Sequence, residues 1–432
     1  MTITTSVGYI ALLRRNKAFR RLWYGQVVSQ LGDWFDSIAL YALVYNLTGS
    51  GQAVGGLLVA QFLPATILGL WSGVLIDRLP RRTVMIVTDI LRALLVLVYL
   101  FVRDPGQIWI IYVVAVLKFS MAAFFEPAQS AAIPTVVSRE ELVAANAIGG
   151  ATWSAMLAIG AALGGLVAGT LGTDAAFVID SASFLLSAAL IASVRIPEAH
   201  LNGAPQTSRT QELREGFAYM LSRRDVAIYT CTKALWSMGG GVLLLLTIYG
   251  RDLFPLGAGG ALSIGLLYAA RGVGAALGPI IAQRFGGQSL QFLRRAIGPS
   301  ILLSALGYIV FSWAPALPIA MLAAVIAHAG GSTQWVFSTS LLQITVPNRL
   351  QGRVFAVELG LLMLMTAISS YGLGVIADAG WSPRVLALVM AGAFVLPGLA
   401  LTLLLWPAPA EEGEIGRGGD TEKGRQGDTV TQ

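Results

Sequence analysis

Several ionisable side chains fall inside long apolar stretches of this sequence: Asp33, Asp36, Asp89, Arg92, Lys118, Glu126, Asp180, Lys233, Arg271, His328 and Glu358. A charged group in hydrocarbon costs about 2.5 kcal/mol or more unless it faces a wet cavity or a partner, so each is a candidate for proton binding, ion pairing or ligand contact. Asp33 stands out. Gln26, Ser29, Gln30 and Asp33 recur at helical spacing, and such a polar stripe belongs on a cavity rather than against lipid. A carboxyl there can take up and release a proton, and a fixed pair with Lys118 or Arg92 is the alternative. Asp89 and Arg92, three residues apart, suit a structural pair on one helix. Lys118 is expected to face the cavity, and Glu126, just before Pro127, to belong to a gate. Glu358 and Arg271 are the candidates of the second half, although Arg271 beside Gly272 and Gly274 also suits helix packing. A lone His328 in a Gly-rich stretch is more often hydrogen-bonded structure than a proton relay. Trp34, Phe35, Phe124, Trp153, Trp236 and Trp335 could line a cavity for bulky molecules, and individually suit packing or interfacial anchoring.

Apolar helices must position these groups. The 432 residues are 56% hydrophobic and 12% charged, about half the charged share of a soluble domain. Runs long enough to cross about 30 Å of hydrocarbon as helices lie at 22–46, 53–76, 82–102, 107–129, 142–169 and 174–194, then at 226–249, 258–283, 296–314, 317–343, 353–377 and 384–406. The expected architecture is therefore an all-α membrane protein of twelve transmembrane helices in two six-helix, pseudo-symmetric halves. Residues 1–21 form an N-terminal segment, 22–194 the first half, 195–225 a linker, 226–406 the second half and 407–432 a polar, Gly-rich tail expected to be disordered. Within the linker, Leu213, Phe217 and Leu221 recur every four residues, as in an amphipathic helix lying along the membrane face.

Arginine and lysine crowd alternate loops, with only Arg103, Arg251 and Arg384 on the other side. That asymmetry predicts cytoplasmic termini in an inner (plasma) membrane and explains the net charge of +6 without nucleic acid. The single cysteine, Cys231, excludes an intramolecular disulfide. With two histidines, no metal-spaced cluster, no phosphate-binding G-x-x-x-x-G-K-[ST] loop and no G-x-S-x-G, neither an enzyme nor a bound cofactor or metal is expected. The glycine spacing of "GVGAALG" at 272–278 lies in a membrane run and reads as packing.

The halves echo each other: "AAIPTVVSREELVAANA" after the fourth span parallels "LQITVPNRLQGRVFAVE" after the tenth. Such duplication points to a transporter with its site between the halves near the bilayer midplane. In "GVLIDRLPRR", Gly73, Asp77, Arg78, Arg81 and Arg82 match G-x-x-x-D-R-x-x-R-R, and on this motif the chain resembles the major facilitator superfamily. Gly73 would permit close helix approach, and Asp77 could meet a helix N-terminus or an opposing arginine, forming a cytoplasmic latch. Pro80 replaces a frequent Gly, and Ala282 stands where the second half would carry the acid, so the latch would be one-sided. "FRRLWYGQVVSQLGDWF", "LTGS", "FFEPAQSAAIP" and "VPNRLQGRVF" resemble the efflux branch that contains macrolide exporters and the enterobactin exporter. "GAALGG", with Gly160, Gly164 and Gly165, is similar to the antiporter motif G-P-x-x-G-G but has Ala161 for Pro, and those glycines also serve helix packing. The resemblance implies a monomeric, alternating-access secondary transporter, with proton-coupled efflux of a small-molecule drug, secondary metabolite or siderophore. Nutrient uptake and lipid or lysolipid translocation on the same fold are the alternatives.

Overall fold

The computed structural model describes residues 9–76, 79–138, 141–198, 209–286 and 289–406, and their regular structure is entirely helical. A short helix, α1 (Tyr9–Arg15), precedes α2 (Lys17–Thr48). Asn16 caps α2 by accepting from Phe19 N at 2.9 Å, and Gly49 ends it in the left-handed region at φ 63°, where glycine carries no Cβ penalty. The first span was expected to begin at residue 22. The helix that carries this run begins earlier, at Lys17 after the cap, so Arg20 and Arg21 lie within the helix. There follow α3 (Gly51–Ile76), α4 (Arg81–Val98), α5 (Ile108–Val136), α6 (Leu142–Ala155), α7 (Ala161–Thr170) and α8 (Thr173–Ala192). After the linker helix α9 (Arg209–Ser222) come α10 (Arg224–Trp236), α11 (Val242–Ile248), α12 (Ala261–Gly286), α13 (Leu290–Ser312), α14 (Leu317–Thr345), α15 (Asn348–Asp378) and α16 (Pro383–Leu405).

Eleven passes among the described residues are long and apolar enough to cross a membrane, counting α6–α7 and α10–α11 as one pass each. The twelfth is α2, whose charges, Asp33 and Asp36 included, set it apart in composition. Large apolar side chains point outward, among them Leu396, Leu403 and Phe285, as a lipid solvent requires. Two spans expected to be continuous are interrupted. A π-helical turn at Met156–Gly160 divides α6 from α7, and a 3-10 turn at Ser237–Gly239 divides α10 from α11. The second break is built for close approach: a Cβ on Gly240 would lie 2.9 Å from Thr366 Cα, and one on Gly241 would lie 2.7 Å from a Leu373 methyl. Ser369 Oγ donates to Ser237 O at 2.7 Å and Ser370 Oγ to Gly240 O at 3.0 Å. The carbonyls released by the break are thus satisfied from α15, which is the condition for irregular backbone at membrane depth.

In the first half α8 packs on α2 and α4, and α5 on α3 and α4; in the second, α13 packs between α14 and α16, with α12 on α14. Two seams join the halves, α3 with α15 and α7 with α12. The α7–α12 seam is made by the span-five glycines. A Cβ on Gly165 would stand 2.6 Å from Gly265 Cα and 2.7 Å from Ala261 O, while Gly160 and Gly164 let α2 approach at Trp34 and Phe35. Without a hydrophobic effect between helices, such close contact supplies the association. The Gly165→Ala variant should therefore lose about 1–3 kcal/mol of stability from overpacking, whereas Gly149→Ala, whose Cβ meets nothing within 4 Å, should melt like wild type. Thermal unfolding of the two purified variants in detergent checks this.

Candidate functional site

The centre of the first half is a charge network built from four helices. Lys118 Nζ on α5 lies 2.5 Å from Asp36 Oδ2 and 3.1 Å from Asp33 Oδ1, both on α2, and 3.2 Å from Asp180 Oδ2 on α8. Arg92 on α4 pairs with Asp89 one turn earlier and reaches Asp33 Oδ2 at 4.0 Å. Its guanidinium is held between the rings of Phe125 and Phe184, 4.5 and 4.4 Å from their centroids. Gly32 makes the α2–α8 approach possible, since a Cβ there would strike Ser183 and Asp180. Lys118, Asp36, Asp89 and Asp180 are buried, but the Asp33 side chain is 37% exposed. Asp33 is thus both a partner of the two cations and the network's opening to solvent.

That opening is a cavity of about 520 Å³ between the halves. Gln30, Asp33, Trp34, Ser37 and Tyr41 line it from α2, Gln61, Phe62 and Thr66 from α3, Arg92 from α4, and Lys118, Glu126 and Pro127 from α5. Trp153 of α6, Tyr268 and Arg271 of α12, and Leu359, Gly360 and Met363 of α15 complete the wall. The polar stripe on α2 is shifted from its expected position: Ser29 is buried and Gln26 does not line the cavity, while the stripe continues through Ser37 to Tyr41. Of the aromatic candidates, Trp34 and Trp153 line it. Phe35 is buried in the core, Phe124 stands off the cavity wall, Trp236 packs on Phe394 and His328, and Trp335 lies under Lys233, whose Nζ is 4.4 Å from its ring.

The other second-half candidates are engaged elsewhere. Glu358 Oε2 accepts from Lys233 Nζ at 3.0 Å, and Lys233 also donates to Thr339 at 2.9 Å. His328 is buried with Nε2 3.0 Å from Tyr308 OH, a structural placement. In the opening motif, Gly73 is helical, and Asp77 and Arg78 lie outside the described residues. Arg81 Nη1 donates to Ala131 O at 2.9 Å and Arg82 Nη2 donates to Ala192 O, while Glu198 accepts from the backbone N of both arginines at 3.1 Å. In these contacts the arginines bind the first half to itself and to the start of the linker.

The halves are sealed at the face opposite the basic loops. Asp378, the last residue of α15, accepts from Gly51 N at 2.6 Å, Gln52 N at 3.2 Å and Ser50 Oγ at 2.5 Å, so it caps the N-terminus of α3 across the interface. Beside it, Tyr45 OH donates to Asp252 at 2.7 Å and Arg251 Nε to Asn46 Oδ1 at 2.7 Å. The α15 residues lining the cavity all lie in the half of that helix toward Asn348, so the cavity extends toward the basic face. Sequence reading missed this seal, because the one available sign was an acid at the very end of an apolar run. It also missed that Asp36 and Asp180 share Lys118, although both had stood out as charges in apolar helices.

Residues 8–415 match the family model described as transmembrane secretion effector, of the major facilitator type. The chain belongs to this family. It is 22% identical over 375 residues to the putative bacilysin exporter BacE of Bacillus subtilis, covering 85% of this chain and 90% of that protein. It is 27% identical over 222 residues to the uncharacterized MFS-type transporter YkuC of the same organism, 49% of this chain and 52% of that protein, so this match spans about half the relative's length. Macrolide efflux protein A of Streptococcus pyogenes is 25% identical over 244 residues, 56% of this chain and 57% of that protein. The nucleoside transporter NupG shares the fold with a TM-score of 0.74 at 12% identity, over 90% of this chain and 100% of that one. The family member described here is thus a multi-pass membrane protein with efflux-type transporters among its relatives.

Two outcomes follow from its geometry. Lys118→Met leaves Asp36 and Asp180 without a cation and Asp33 with Arg92 alone, and should destabilise the protein by about 3–5 kcal/mol, read as a lowered melting temperature in detergent. Asp378→Asn weakens the α3 cap. With Cys231 changed to Ser and Ser37→Cys as reporter in the cavity, labelling by an impermeant maleimide from the sealed face should become faster, and an unchanged rate would refute a sealing role.

Proposed function

We propose that this protein is a proton-coupled exporter of a small drug-like compound, secondary metabolite or siderophore, working as a monomer by alternating access in the plasma membrane with its basic loops and termini cytoplasmic. One observation carries the reading: four aspartates, Asp33, Asp36, Asp89 and Asp180, pair with two cations, Lys118 and Arg92, Asp33 joins the network to the cavity, and Glu126 lines that cavity as a further carboxylate. Carboxylates in excess of cations at membrane depth favour binding a proton or a cationic cargo over remaining charged. Competition between the two for the same carboxylates is the elementary requirement of exchange.

In the described conformation cargo enters from the cytoplasmic side and contacts Asp33. Release of a proton to the cytoplasm re-forms the Asp33 contacts with Lys118 and Arg92. Closure at the basic face accompanies opening of the Asp378 seal. Protonation of Asp33 from outside then discharges the cargo. Inward proton movement supplies about 2.3 kcal/mol per charge per 100 mV, plus the pH gradient. The efflux-type relatives support export as the direction.

A second reading draws on an apolar cleft of about 590 Å³ between α3, α5 and α15, lined by residues such as Leu63, Pro64, Val116, Leu364 and Ile368. It lies across the α3–α15 pair from the main cavity, whose wall takes Phe62, Thr66, Leu359 and Met363 from the same helices. That arrangement would suit an acyl chain entering sideways, as lipid or lysolipid translocation requires.

The test compares wild type and Asp33→Asn at matched expression in an efflux-deficient bacterium, with and without a protonophore, across dyes, macrolides, siderophores and a fluorescent lysophospholipid. Wild type should lower accumulation of at least one of the first three classes, and both the mutation and the protonophore should abolish the effect. Raised accumulation would make the protein an importer. Activity confined to the lysolipid would select the second reading.

A further inference from the structure

The cavity is electrically two-sided. On the first-half wall, Lys118 and Arg92 are engaged by aspartates, leaving Asp33 and Glu126 as the carboxylates that reach the lumen. The second-half wall carries one charged lining residue, Arg271, and among the described residues no carboxylate lies within ion-pair distance of it. Its neighbours along the wall are neutral: Tyr268 one turn earlier, and Tyr41, whose ring centroid lies 6.0 Å from that of Tyr268. Tyr41 OH is already committed to Gln61 at 2.9 Å and Tyr268 OH to Leu243 O at 2.9 Å. His328 and Tyr308 behind this wall satisfy each other. The nearby polar groups therefore include no anion to match the guanidinium, although the other two cations lining the cavity have one.

We propose that Arg271 is the anion subsite of this cavity and that its cargo is a zwitterionic amphiphile, with a carboxylate on Arg271 and an ammonium facing Asp33 and Glu126. The assignment deepens the transport reading above and rests on the cavity being the cargo site. A guanidinium presents a planar fork that binds a carboxylate through two parallel charge-assisted hydrogen bonds. At membrane depth an unmatched cation is costly, so an anion brought by the cargo gains from the pairing. The apolar body of the cargo would meet Trp34, Trp153, Leu359 and Met363, which line the space between the charged walls. A volume near 520 Å³ lies within the range that encloses small organic ligands, about 300–1,000 Å³.

The experiment is equilibrium binding to the purified full-length chain in detergent, by thermophoresis, with leucyl-phenylalanine as the free zwitterion, as its C-terminal amide and as its N-acetyl acid. Wild type should bind the zwitterion about tenfold or more tightly than either blocked form, a difference of about 1.4 kcal/mol. Arg271→Gln should bind zwitterion and amide alike while still disfavouring the N-acetyl acid, and Arg271→Lys should keep part of the preference for the free carboxylate. Asp33→Asn should do the converse, losing discrimination against the N-acetyl acid alone. Size-exclusion profiles and melting curves confirm that each variant is folded, and the lysine variant keeps the charge should the glutamine variant fail to fold. Wild type binding acid and amide within twofold, Arg271→Lys losing the preference as completely as Arg271→Gln, or no binding of the zwitterion at millimolar concentration would overturn the assignment. Binding without a gradient is independent of drive and direction. Failure of protonophore-sensitive export with discrimination intact would thus remove only the transport reading, and the reverse would remove only the role of Arg271.

Discussion

A lysine ammonium in the middle of a membrane domain must find anions, and the first half of this protein is arranged around that requirement. Lys118 draws Asp33 and Asp36 from α2 and Asp180 from α8, while Arg92 on α4 pairs with Asp89 and touches Asp33. Four helices thereby acquire a fixed rotation about their own axes, because turning any of them would carry a charge into lipid. Buried ion pairs of this kind add little net stability relative to apolar packing, and a missing partner is costly. Their effect here is to specify one arrangement. The second half has a lighter counterpart in Lys233 and Glu358, so the cavity between the halves inherits a strong acid–base network on one wall and a single free cation among the described residues on the other.

The two seams between the halves have different physical characters. Where α7 meets α12, backbone approaches backbone through Gly165 and Gly265, a smooth contact whose dispersion energy changes gradually as the surfaces slide. Where α3 meets α15 at the sealed face, the contact is polar: a carboxylate from one half completes the helix terminus of the other. Hydrogen bonds of that type depend steeply on geometry, and the exposed donors at the start of α3 can be taken over by water once separated. A rocking motion would thus preserve the first seam and switch the second, which is how a bistable interface differs from a deformable one.

Much of the fold is legible in the sequence. Apolar length, the alternation of basic loops and the echo between the halves are local or additive properties of the chain, and each acts through the bilayer, which imposes a fixed thickness and forbids unsatisfied backbone. Asp33, Asp36, Lys118, Asp180 and Arg271 stood out for the same reason: a charge in a hydrocarbon-length run is anomalous whatever surrounds it. The glycines of span five were also legible as packing residues. Helix interruptions were not, since Gly239, Gly240 and Gly241 become a break through the particular residues of α15 and α16 pressed against them.

The sequence by itself therefore determined that this chain crosses a membrane many times, that it belongs with the major facilitator family, and which side chains are too polar to face lipid. Tertiary structure alone decided that Lys118 meets Asp36 and Asp180, 82 and 62 residues away, that Asp33 is left open to the cavity, that Asp378 closes the far face, and that Arg271 has no acid within reach among the described residues. The physical reason is that hydropathy is summed along the chain, whereas pairing depends on the rotation and depth of separate helices. Those are set by packing between residues distant in sequence, and no local pattern records them.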